Sequence, residues 1–207
     1  MTRTLSVDSL IGRLPLPLRL GAAILALCGL ILAMVADRAS ILRSGATVRL
    51  STEPIDPRDL FRGDYVVLRY RISAINLTRL GVVGQVRNGD RVFVGLRAGA
   101  DGLAEVAALA RAGESRRTDL IWAAGKAGQE TRCFTRRAAP GDCAEGDRVL
   151  RVTYGIESYF VPQGEGLAIE RTNAARVQVQ AAVAADGRMA IKALLIDGKP
   201  VYEEPPF

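Results

Sequence analysis

The residues of this chain equipped for chemistry are acids, tyrosines, serines and three lysines; none of its 207 residues is a histidine. Without imidazole there is no His-based general acid or base, no Ser-His or Cys-His nucleophile pair and no His-ligated metal site. Two groups of residues stand out. Asp64, Tyr65 and Tyr70 lie in Phe61-Arg62-Gly63-Asp64-Tyr65-Val66-Val67-Leu68-Arg69-Tyr70, and Glu157, Tyr159 and Phe160 lie just before the chain-breaking segment Pro162–Gly166. If they line one cleft, these acids and rings form a recognition surface, with hydrogen bonds offered from rigid side chains. The competing reading is architectural: the tyrosines fill a core, and Glu157 pairs with an arginine such as Arg62 or Arg69.

Enzymatic alternatives are a Ser/Lys hydrolase of the signal-peptidase kind and a hydrolase built on carboxylates such as Asp64 and Glu157. Ser40, Ser44 and Ser51 follow the apolar N-terminal segment, and Lys126, Lys192 and Lys199 are the lysines. A lysine base must be buried beside its serine to act at neutral pH, and no motif here joins the two. No residue is assigned as catalytic and no cofactor is expected. Two cysteines outside the apolar segment cannot complete a tetrahedral metal site, and no clustered Asp spacing marks a calcium loop, so no metal is expected either.

The segment preceding these residues sets where they work. Leu20–Ala36 carries no charge, with Arg13 and Arg19 before it and Asp37, Arg38 and Arg43 after it. As a helix it spans ~25 Å, the short end of what a bilayer requires. Pro15 and Pro17 suit a helix start. Small residues are poorly placed for signal cleavage, so an uncleaved transmembrane anchor at 20–36 is expected, behind a cytoplasmic segment at 1–19. Arginines on both sides leave the positive-inside rule nearly silent. Cys28 lies within the anchor. Cys133 and Cys143 flank the turn-forming Pro140-Gly141-Asp142, so a disulfide across a hairpin is expected, worth ~2–3 kcal/mol in the chain-entropy view. Such a bond would put residues 44–207 outside the cytoplasm. Half of the net charge of +6 lies in residues 1–43, and the remaining basic residues are scattered among acids. That pattern lacks the basic, aromatic-lined stripe of a nucleic-acid binder, and no nucleic-acid partner is expected.

Residues 44–207 carry strand signals throughout. Thr47–Thr52 alternates polar and apolar residues. Asp56 suits a helix N-cap and Pro57 the first helical position, so one helical turn precedes Gly63. From Asp64 the alternation puts Asp64, Val66, Leu68, Tyr70 and Ile72 on one face of a long strand and Tyr65, Val67, Arg69 and Arg71 on the other. The Gly-Asp device recurs at Gly89-Asp90 and Gly146-Asp147, each before an apolar run, which reads as a way of starting strands. Leu103–Ala112 fits a short helix or a strand. Asp119–Ala124 reads as a strand, Val149–Val161 as a long strand bent at Gly155, and Leu167–Ala175 as a short helix. Arg176–Ala184 and Met189–Ile196 form a hairpin about Asp186-Gly187, and Asp197-Gly198 turns into Pro200-Val201-Tyr202. The expected fold is mainly β: an N-terminal transmembrane helix followed by one antiparallel, sheet- or barrel-like extracytoplasmic domain with short helical turns.

Three segments together resemble the GDYXXLXY family of bacterial membrane-anchored proteins: Pro54 through Tyr70, Tyr154 through Gly166, and Leu194-Leu195-Ile196-Asp197-Gly198-Lys199-Pro200-Val201-Tyr202. The resemblance implies a single anchor in the bacterial inner membrane with the C-terminal domain in the periplasm, often encoded near a multi-spanning membrane protein. It points to Asp64, Tyr65, Leu68, Tyr70, Glu157, Tyr159 and Phe160 as family-motif positions. The expected function is a non-enzymatic binding or accessory subunit for a membrane or envelope partner.

Overall fold

A computed structural model describes residues 15–53, 65–133, 143–160 and 176–203. The chain divides into two compact units, residues 1–40 and 41–207. The predicted helical turn at Asp56, Pro57 and Gly63, together with Asp64, the Pro140-Gly141-Asp142 turn and the Leu167–Ala175 segment lie outside the described residues.

Helix α1 covers Leu16–Ser44, 29 residues and so ~43 Å of rise. Its stretch Leu16–Arg43 is long and apolar enough to cross a membrane, and its leucines and isoleucines from Leu16 to Leu32 are exposed. The helix extends past both ends of the predicted 20–36 span. Pro17 sits in the first turn, where its missing N–H is not needed. Past Ala36, polar residues continue the same ladder, and the Ser40 hydroxyl donates to the Asp37 carbonyl at 2.7 Å.

The second unit is antiparallel throughout. Its strands are β1 (Ala46–Glu53), β2 (Tyr65–Val67), β3 (Arg69–Tyr70), β4 (Ala74–Asn76), β5 (Arg91–Ala98), β6 (Ala104–Arg111), β7 (Ile121–Arg132), β8 (Arg148–Thr153), β9 (Ser158–Phe160), β10 (Val177–Val183), β11 (Met189–Ile196) and β12 (Lys199–Glu203). One five-stranded sheet runs β12-β11-β10-β1-β3, a second runs β4-β8-β7-β5-β6, and β2 with β9 forms a separate ribbon. The barrel-like domain read from sequence is therefore built as two sheets curled into a half-barrel. Leu50, Val179 and Leu194 from the first sheet and Val92, Val94, Leu150 and Val152 from the second meet in one core. A smaller apolar cluster, Ile41 and Leu42 against Ala182 and Ala190, sits at the end where the chain enters β1.

Several expectations are refined by pairing. The Leu103–Ala112 stretch is strand β6: its alanines suit a helix, but pairing along the whole length of β5 decides its state. Strand β7 runs on well past the predicted Ala124, to Arg132. The long strand predicted from Asp64 is interrupted. Strand β2 pairs with β9, β3 pairs with β1, and Arg71–Ser73 is a 3₁₀ turn, because the chain changes partner at Leu68. Of its predicted core face, Leu68, Tyr70 and Ile72 are buried. The Val149–Val161 strand is likewise split into β8 and β9 around Gly155. The Gly-Asp strand starts are as read: Gly89 and Gly146 take positive φ, Asp90 accepts the Arg87 N–H, and Asp147 accepts from the Ala144 N–H and the Asn76 amide. Cys133 and Cys143 are joined in a disulfide between the end of β7 and the start of β8.

The β10–β11 turn links the sheets. The Ala124 N–H donates to the Gly187 carbonyl at 2.7 Å, on a part of β7 that β8 does not reach. Gly187 has φ +89°, and a Cβ there would stand 2.8 Å from the Ala124 nitrogen and 2.9 Å from its Cβ. Gly113 has a similar φ of +88° but open space around it. Gly113→Ala is thus expected to cost about 1–2 kcal/mol from backbone strain alone, and Gly187→Ala clearly more because the turn must also move off β7. Thermal unfolding of the two detergent-solubilised variants checks the order; equal losses would contradict it.

Candidate functional site

The two motif segments meet. Tyr65, Val66 and Val67 pair with Phe160, Tyr159 and Ser158, and beyond the ribbon the Leu68 N–H donates to the Glu157 carbonyl at 2.7 Å. Two side chains then lock the segments in opposite directions. The Tyr70 hydroxyl donates to the Ile156 carbonyl at 2.6 Å, and the Tyr154 hydroxyl donates to the Ile72 carbonyl at 2.7 Å. Both rings are buried, Tyr70 completely. Burial, and secondarily the nearby Glu157 charge, push both phenols far above the usual tyrosine range, so they stay neutral donors.

Glu157 completes the arrangement. One carboxylate oxygen accepts the Tyr154 N–H and the other accepts the Gly155 N–H at 2.8 Å. These bonds tie down the turn at Gly155, whose φ is +80°. Among the described residues Glu157 thus serves backbone donors and not Arg69, as the pairing read from sequence had it; Arg62 lies outside them. Of the predicted family positions, Leu68, Tyr70 and Glu157 converge, and Tyr65, Tyr159 and Phe160 join them through backbone pairing. Leu68 and Tyr70 are interior and close a core instead of lining a cleft. Sequence reasoning missed Tyr154 as the counterpart of Tyr70. The signal was there in Tyr154-Gly155-Ile156-Glu157, where one short segment supplies a donor, an acceptor and the carboxylate.

A different part of the domain is concave. A groove of about 520 Å³ runs between β4 and β6, with Ser51 of β1, Arg71, Asn76, Asp101, Glu105 and Val106 among its lining residues. No lysine is among its described lining residues, so Ser51 has no lysine base beside it there. Near this groove Glu53, opposite Arg69 in the β1–β3 register, is buried, and its Oε1 has no hydrogen-bond partner among the described residues. The buried Ser73 hydroxyl is also unpartnered among them. Burial raises the Glu53 carboxyl above its ordinary 4.5, an effect partly offset by the positive charges of Arg69, Arg71 and Arg151. Among the described residues no group of three metal-ligating side chains comes together.

These features define a class: a membrane-length helix continued by a mainly antiparallel β domain, in which residues 68–72 and 154–157 form an internal clasp. The chain belongs to the GDYXXLXY protein family, whose family model matches residues 27–194. No curated protein and no solved structure matches it.

Tyr70→Phe and Tyr154→Phe each remove a donor and leave a buried carbonyl unpaired, an expected cost of about 1–3 kcal/mol apiece. The double variant is expected to lose less than the sum by roughly 0.5 kcal/mol or more, because the two bonds hold the same pair of segments. Denaturant unfolding of the four proteins in detergent measures both quantities, and strict additivity would separate the bonds into independent ones. For Glu53 the folded-state pKa lies above the unfolded one. Its contribution to stability is therefore complete below pH 4.5 and lost as the pH rises through the folded-state value. Glu53→Gln is expected to be at least as stable as the parent at neutral pH and to lack this part of the pH dependence; melting curves at acid and neutral pH check it.

Proposed function

We propose that the protein is a single-span protein of the bacterial inner membrane whose β domain lies in the periplasm and acts as a non-enzymatic binding or accessory module for a membrane or envelope partner. The observation that carries this reading is the groove between β4 and β6. These are the outer strands of the second sheet, and among the described residues neither pairs with a strand on its outer side. An outer strand presents a row of N–H and C=O groups to which an extended segment can add. Arg71, Asn76, Asp101 and Glu105 supply polar contacts of both signs along the groove, which suits a mixed peptide better than a uniformly charged ligand.

Two further observations support the reading. The Cys133–Cys143 disulfide fits an oxidising compartment, and the membrane-length helix fits a single anchor. Tyr70, Tyr154 and Glu157 are engaged in holding backbone, which favours the groove as the surface for recognition. The partner is an extended segment of another membrane or envelope protein, such as a loop of a multi-spanning protein.

A photo-activatable residue placed at Ser51 or Glu105 of the full chain, irradiated in native membranes, is expected to yield one dominant protein adduct. The same residue at Arg132, outside the groove-lining set, should not. Recovery of the groove-labelled protein only as a monomer would overturn the proposal.

A further inference from the structure

The outer face of the second sheet carries a basic, aromatic surface that the groove does not use. Pairing places Arg91 beside Lys126, Phe93 beside Ala124 and Gly95 beside Trp122. Their neighbours Val92, Val94 and Leu96 point into the core, so this set faces outward. Phe93 is covered by two guanidinium groups, Arg116 at 4.3 Å and Arg91 at 5.3 Å from the ring centre. Arg91, Arg116 and Lys126 are exposed, and among the described residues none has a carboxylate partner. The acids nearby are already engaged: Asp186 with Arg188 and Asp119 with Arg117. Asp186 feels Arg91 only as a weaker, more distant charge.

This surface lies at one particular end of the domain. The chain enters β1 at Ala46, which is opposite Val183 of β10. Val183 leads into the turn whose Gly187 carbonyl accepts the Ala124 N–H. Ala124 pairs with Phe93 and stands two positions from Lys126. The cations thus sit near the end of the sheet at which the chain arrives. The uncharged run ends at Ala36, helix α1 continues to Ser44 and β1 begins at Ala46, a connection of at most ~20 Å. The domain is joined to the membrane-length helix at this end.

We infer that Arg91, Arg116 and Lys126 form a docking surface for anionic phospholipid headgroups, seating the domain on the membrane that holds its anchor. The occupant is a lipid surface and not a protein because the cations have no carboxylate partner among the described residues, gather on one face around Phe93, and belong to a domain that follows a membrane-length helix. Each basic residue near an anionic leaflet adds attraction that falls off within a Debye length. This inference is independent of the groove and its partner.

Trp122, the only tryptophan in the chain, lies on the same face and reports contact without labelling. The full chain is reconstituted into vesicles of phosphatidylcholine alone or of phosphatidylcholine with phosphatidylglycerol, each containing a headgroup spin-labelled lipid. Quenching of Trp122 fluorescence is expected to be about twofold or more greater with the anionic lipid, and to fall back at high salt. Arg91→Glu, Arg116→Glu and Lys126→Glu together should abolish the difference. Lys126→Glu alone, which disturbs no aromatic packing, should reduce it should the triple variant fail to fold. Equal quenching in the two lipids, indifference to salt, or an unchanged difference in the Lys126→Glu protein would overturn the inference.

Discussion

Two buried phenols exchange hydrogen bonds across the interior of this domain: Tyr70 donates to Ile156 and Tyr154 donates to Ile72. Each tyrosine satisfies a carbonyl on the segment that carries the other, at a point where strand pairing alone would leave those carbonyls buried without a partner. The segment around Tyr70 has just changed partner from β9 to β1, and the segment around Ile156 has just left β8 through the Gly155 turn. Regular ladders cannot continue through either place. The phenols and the Glu157 carboxylate supply the missing donors and acceptors, and buried polar groups of this kind are strongly destabilising when left unmade. The ribbon of β2 and β9, the β1–β3 pairing and the start of the β4–β8 pairing all depend on these segments lying where they do.

This constraint also accounts for where recognition can and cannot occur. Tyr70 and Tyr154 are consumed inside the fold, and these neutral phenols and the bonded Glu157 carboxylate are poorly placed to act on a ligand. Concave surface arises elsewhere, where the second sheet stops pairing at β4 and β6. Charge is distributed by the same logic. Acids at turns, Asp90, Asp147, Asp186 and Glu157, accept backbone N–H groups that the turns leave unpaired. Several arginines take the remaining carboxylates, as Arg148 does with Glu130 at 2.6 Å, and two others, Arg91 and Arg116, cover Phe93.

Much of the secondary structure was legible because its causes are local. The Met189–Ile196 hairpin partner, the Gly-Asp strand starts and the apolar helix rest on alternation, glycine conformation and uninterrupted apolar length, which neighbouring residues alone determine. The Cys133–Cys143 bond was legible from a turn-forming segment between two cysteines. The state of Leu103–Ala112 was not, since alanine is indifferent until a partner strand is present. The break at Leu68 was also invisible, because nothing in Val66-Val67-Leu68-Arg69-Tyr70 says that its first half and its second half pair with different strands.

The sequence by itself determined a membrane-length helix, a mainly antiparallel domain behind it, the core-facing side of Leu68, Tyr70 and Ile72, and membership of a family through its motifs. Tertiary structure decided what those motifs do. That Tyr70 and Tyr154, 84 positions apart, serve each other's carbonyls follows only when β2 meets β9, and that Glu157 closes a turn in preference to an ion pair with Arg69 follows from the orphan N–H groups beside it. The same holds for the groove and the basic face: both come from strands distant in the chain being set side by side, and proximity of that kind has no local signature for a sequence to carry.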